Sequence, residues 1–106
     1  LKPIAKTLTV TNKVAKIALK KGINVFCADL TVTPMLVEIN KNYAARLPAI
    51  KGMKIGVIES NGAQNYANWE AMMEKHPLKD DKFTKPDNGL FILDDTFYSS
   101  SGGIFK

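Results

Sequence analysis

Residues 22–29 read Gly22-Ile23-Asn24-Val25-Phe26-Cys27-Ala28-Asp29. Between the glycine and the aspartate the run is apolar at nearly every position rather than at alternate ones. Such a run predicts a strand covered on both faces, the kind that belongs to parallel sheets. Met53 to Ile58, with Gly56 inside it, is a second run of the same character. Between them, Thr33 is placed as an N-cap with Pro34 at the first helical position. Leu36, Ile39, Tyr43 and Leu47 then fall on one helical face, Pro48 ends the pattern, and Lys51-Gly52 makes a turn. Two apolar strands joined by a helix predict a right-handed βαβ unit with parallel pairing.

Working outward, Val10, Val14, Ile17 and Ala18 recur at helical spacing between Thr9 and Lys21. Thr9 is a suitable N-cap and Gly22 a stop, with Lys20 and Lys21 favourable at the negative end of the helix dipole. If Leu1 ends a preceding strand, the order becomes β-α-β-α-β. After Ser60-Asn61-Gly62 a third helical pattern runs through Tyr66, Trp69 and Met73 and stops near His76-Pro77. The remainder changes character: Lys79 to Asp87 is polar, Asp87-Asn88-Gly89 is a turn, Leu90 to Leu93 is a short strand, and Ser99 to Gly103 reads as flexible. The expected fold class is therefore α/β. Residues 1–77 form the βα units, and residues 78–106 form a C-terminal extension with a short strand.

Parallel strands need both faces covered and cannot close their own edges. Two or three of them with as many helices leave an apolar edge open. The chain thus reads as a sector of a larger α/β structure, completed by self-association or by further polypeptide. Leu1 in place of Met fits the same expectation of a processed product or a part.

Composition sets the outer limits. The chain has 106 residues, 45% hydrophobic and 24% charged, which suits one globular domain and not a disordered or fibrous chain. No apolar run approaches the roughly 20 residues of a membrane helix, and no signal peptide is visible. The single cysteine, Cys27, rules out an internal disulfide framework and a multi-cysteine zinc site, and agrees with a reducing, cytoplasmic setting. A net charge of +5 invites a nucleic-acid reading, but only Arg46 is an arginine. The lysines are scattered from Lys2 to Lys106, and the guanidinium forks that recognise phosphate and guanine are nearly missing. A solvated lysine-rich surface is the reading we adopt, with neither nucleic acid nor membrane as partner.

Ligands of α/β sheets collect at the carboxyl ends of strands. Three residues fall there: Lys2 after the opening segment, Asp29 after I-N-V-F-C-A, and Glu59 after K-I-G-V-I. A lysine in a semi-enclosed mouth can be deprotonated by desolvation and act as a base. The two carboxylates could hold a cation, accept a proton or orient the lysine. The plainer reading of each is the first solvated position of a loop. Elsewhere the plainer readings stand: Cys27 as buried packing, His76 before Pro77 as a helix-end cap, Asn61 as a cap rather than an anion site, and Tyr66 and Trp69 as core or interface.

L-K-P at residues 1–3, a helix ending K-K-G and a strand I-N-V-F-C-A resemble the late barrel units of the enolase superfamily. The likeness is nearest to the branch of muconate lactonizing enzyme, o-succinylbenzoate synthase and dipeptide epimerase, with mandelate racemase-like members alongside. N-Y-A-A-R-L-P-A-I-K-G-M-K-I-G-V-I-E-S resembles the seventh-helix to eighth-strand passage. The closing D-N-G-L-F-I-L-D-D-T-F-Y-S-S-S-G-G-I-F resembles the tail that returns to the capping domain. The resemblance covers nearly the whole chain in order. It implies a partial (β/α) TIM-barrel sector and makes Lys2 the acid/base lysine, facing a second lysine outside this sequence. It also implies Mg²⁺, held by three carboxylates likewise outside this sequence. The chemistry implied is proton abstraction alpha to the carboxylate of a small substrate, with the enolate stabilised by the metal, as in a racemase, epimerase, lyase or dehydratase. Two departures stand out: Asp29 and Thr31 lie where the family often has a glutamate, and Ala5-Lys6-Thr7 replaces a frequent glycine pair.

Two readings follow. In one, the chain is the C-terminal part of such an enzyme, inactive without the rest of the barrel and its cap. In the alternative, it is a stand-alone small α/β binding module that meets a protein partner or itself through its open edge.

Overall fold

The computed structural model describes residues 1–105; Lys106 lies outside them. Five α-helices are present among the described residues: α1 (Leu8–Lys20), α2 (Pro34–Ala44), α3 (Gly62–Asn65), α4 (Trp69–Met73) and α5 (Asp95–Ser100), with a 3₁₀ turn at Lys82–Thr84. Helix accounts for 40% of the chain and strand or bridge for 4%. No sheet forms among the described residues, which overturns the expected α/β barrel sector with parallel strands. The two apolar runs meet at one parallel rung only, Cys27 against Ile58. The C-terminal short strand is likewise absent: Leu90 makes one antiparallel rung with Asp87 across the Asn88-Gly89 turn. The physical reason is cover. Parallel strands are stable when both faces are buried, and here Ile23, Phe26, Leu30, Met53 and Ile55 are exposed.

The helices form where the pattern places them, with ends moved by capping. Thr7, not Thr9, caps α1: its side-chain oxygen accepts from Val10 N at 3.2 Å. Gly22 follows with φ +72°. Pro34 opens α2 after Thr33, whose carbonyl accepts from Val37 N at 3.1 Å. The third pattern divides. Tyr66 is extended, and its hydroxyl donates to Thr31 O at 2.8 Å, so a tertiary bond wins over helix continuity between α3 and α4. Helix α5 runs into the stretch expected to be flexible, taking in Ser99 and Ser100, and is capped by Asp94 Oδ1, which accepts from Phe97 N at 3.0 Å.

A cluster of large buried side chains lies in the second half of the chain. Leu78, Phe83 and Phe97 are buried together with Leu93 against them, and the Phe83 and Phe97 rings meet edge to face with centroids 5.2 Å apart. At Gly56 the second apolar run presses against the end of α2. A Cβ there would lie 2.2 Å from the Ala44 carbonyl oxygen, so only glycine allows the approach.

Candidate functional site

Leu1, Cys27 and Ile58 lie side by side through backbone bonds. Cys27 N donates to Val57 O and Glu59 N to Cys27 O at 3.0 and 2.9 Å. On the other side, the Leu1 nitrogen donates to Phe26 O at 2.7 Å and Ala28 N to Leu1 O at 2.6 Å, the same parallel pattern. Three segments are therefore held in register for one residue each. Lys2, Asp29 and Glu59 leave from the same, carboxyl, end of that register.

The three differ in their surroundings. Asp29 is buried, with both oxygens engaged: Oδ1 accepts from Leu30 N at 2.7 Å and Val32 N at 3.2 Å, and Oδ2 from Asn61 N at 2.8 Å. It closes its own loop and ties that loop to the one after Ile58. Inside this turn Thr31 has φ +54°, a conformation costly for a β-branched side chain, kept by the Asp29 turn and the Tyr66 hydroxyl on its carbonyl. Glu59 is exposed, and its Oε1 accepts from Asn61 Nδ2 at 3.3 Å. Asn61, which heads α3 without a side-chain cap bond, thereby joins the two carboxylates, its amide N–H to one and its side chain to the other. Lys2 is exposed, and no side-chain hydrogen bond or ion pair involves it among the described residues. Cys27 is fully buried beneath this end, and burial pushes its thiol up to about 11, which leaves it inert as a nucleophile.

A second polar centre has no counterpart in the sequence reading. On α2, Lys41 Nζ donates to Glu38 Oε1 at 2.7 Å and to Phe83 O at 2.7 Å, and lies 4.3 Å from the centroid of the Phe91 ring. His76 Nε2 stands 3.6 Å from Glu38 Oε1, too far for a hydrogen bond, while its Nδ1 accepts from Leu78 N at 3.1 Å. All three side chains are buried. Glu38 Oε2 and His76 Nε2 have no partner, and Gly102, at φ +73°, seals the carboxylate: a Cβ there would lie 2.8 Å from Oε2. Burial pushes Glu38 up to about 7 against the pull of Lys41, and pushes Lys41 down against the pull of Glu38. His76 is lowered by burial and by Lys41, with Asp81 opposing. The cluster pins the 3₁₀ turn and the Ser101–Gly103 turn to α2, helped by Asn42 Nδ2 donating to Ser101 O at 3.1 Å. Glu38 and Lys41 are one helical turn apart, a spacing visible in the sequence. Nothing in it shows that this pair faces inward, because α2's apolar stripe alone predicts the opposite face.

Glu38 also borders a cleft of about 480 Å³ with Trp69, Met73, Lys85 and Phe91. Among the described residues, no three His, Cys, Asp or Glu side chains gather to hold a metal ion. Both Asp29 oxygens are taken by backbone N–H groups. No helix among the described residues is long and apolar enough to cross a membrane. Compared with protein-family models, curated proteins and solved structures, the chain matches none of them.

Proposed function

We propose that this chain supplies one side of a site that removes a proton alpha to the carboxylate of a small substrate, in the manner of the enolase superfamily it resembles. Further polypeptide completes the site with the metal ligands and the opposing base. One observation carries the reading: Lys2, Asp29 and Glu59 emerge together from the carboxyl end of the Leu1–Cys27–Ile58 register. In this reading Lys2 is the base that takes the proton from carbon and returns it to carbon or to a leaving group. Asp29 is a positioning residue, since its oxygens are spent on three backbone N–H groups. Glu59, steadied by Asn61, faces the substrate's polar end. The strained Thr31 beside Asp29 supports a site here, because such strain persists where the surroundings over-determine it. The lone buried thiol of Cys27 supports a cytoplasmic setting.

The test is deuterium exchange at the alpha carbon of a panel of carboxylates, followed by NMR with Mg²⁺ present. This chain alone should give no exchange. Joined to the polypeptide encoded upstream of it, it should exchange one substrate class, and Lys2→Ala should lower that rate by about 10²–10⁴-fold. Exchange by the chain alone, or a full rate in the joined Lys2→Ala variant, would contradict the proposal.

A further inference from the structure

Helix α1 docks with its small side chains inward. Thr11 and Ala15 are buried, whereas Val10, Val14 and Ile17 are 45%, 49% and 59% exposed. These three are spaced by four and then three residues, the seam of a helix that packs lengthwise against another helix. Lys13 and Lys20 flank the seam one position before each repeat, Lys6 continues the same seven-residue period, and α1 contains no acidic residue.

From this we infer that the Val10–Val14–Ile17 seam is an interaction surface for an amphipathic helix whose margins are acidic. The seam offers apolar cover, and its lysine margin selects glutamate or aspartate on the partner. A second copy of this chain fits poorly. Each copy carries a net charge of +5, and antiparallel seams would set Lys13 and Lys20 against their own counterparts. A membrane surface fits poorly too: α1 has no aromatic residue, the seam offers two valines and an isoleucine, and the helix's other exposed apolar side chains, Leu8 and Leu19, lie on the opposite side, so no single wide apolar face is available to hold it in the interface. The inference does not rest on the proposed reaction, since its readout is affinity.

The probes are two synthetic peptides of about three heptads, leucine at the a and d positions, one with glutamate and the other with lysine at e and g. Fluorescence anisotropy should show the acidic peptide bound about tenfold or more tightly than the basic one. Val14→Asp, a change at an exposed position whose fold circular dichroism verifies, should abolish binding. Lys13→Glu with Lys20→Glu should reverse the preference. Equal affinity for both peptides, no binding of either, or binding unchanged by Val14→Asp would overturn the inference. So would a peptide-free dimer, or adhesion to phosphatidylserine vesicles, that Val14→Asp abolishes.

Discussion

Two regions of this chain differ in composition, and the more apolar one leaves more of its large apolar side chains at the surface. Residues 23–30 and 53–58 carry Ile23, Phe26, Leu30, Met53 and Ile55 to the surface and pair through one rung. Residues 78–97, broken by charges and a turn, bury Leu78, Phe83 and Phe97 and are bolted to α2 by Lys41 and Glu38. The difference is where cover comes from. The second region buries its large rings against neighbours within the chain, whereas the first buries Val25 and Cys27 there and leaves its larger side chains uncovered. Apolar content alone does not fix burial; the supply of facing surface does.

The largest expected effect tests this contrast directly. Phe83→Ala should cost about 3–5 kcal/mol in urea unfolding, because a fully buried ring leaves a cavity. Phe26→Ala, exposed in the other region, should cost under about 1 kcal/mol. Equal losses would erase the contrast.

Next comes the polar tie that keeps the first region in register. Asp29→Ala leaves the N–H groups of Val32 and Asn61 without their acceptor, and should cost about 2–3 kcal/mol. A loss below about 0.5 kcal/mol in the same unfolding measurement would mean that water serves those donors equally well.

The second region should also reveal itself by its response to pH. Glu38 is raised to about 7 from 4.5, so the folded chain holds a proton that the unfolded chain has released between those values. Its contribution to stability therefore declines as pH rises through that window. His76 is lowered from 6.5, so the unfolded chain holds a proton that the folded one lacks, and stability declines as pH falls through and below that value. In His76→Asn the urea midpoint should fall steadily from pH 4.5 to 7; in Glu38→Gln it should rise over the same range. A flat profile in both variants would show that water reaches the cluster.

The smallest effect is at the strained turn. Thr31→Gly should stabilise by about 1 kcal/mol, by releasing a β-branched residue from φ +54°. Destabilisation there, with the same probe, would mean that the threonine side chain contributes more than its backbone costs.

Much of the helical structure was legible from the sequence, since stripes of period 3.6 and breakers such as Gly22 and Pro34 act locally. The expected sheet does not form because the rule that links an all-apolar run to a buried parallel strand presumes cover that the described residues do not provide. α5 is hard to see in the sequence, although Asp94 three residues before Phe97 is a capping signal, because the serines and glycines from Ser99 to Gly103 predict flexibility. Lys2, Asp29 and Glu59 are candidates by position alone, Asp29 and Glu59 after apolar runs and Lys2 after Leu1. The three backbone bonds that occupy Asp29 depend on where residues 30, 32 and 61 meet, and no local pattern shows that. The Glu38–Lys41–His76 cluster was illegible for the same reason: its partners lie 42 residues apart, as in the bond from Lys41 to Phe83 O. Burial of a charged pair is decided by that long-range seal.

The most direct test of the account is residue-resolved hydrogen exchange on this chain alone. The amides of Cys27 and Glu59, whose acceptors belong to the single parallel rung, should exchange with little protection, while α2 amides such as Lys41 are protected to the level of global unfolding. Equal protection of Cys27, Glu59 and α2 would contradict it, showing that the paired segments are stable without any covering partner.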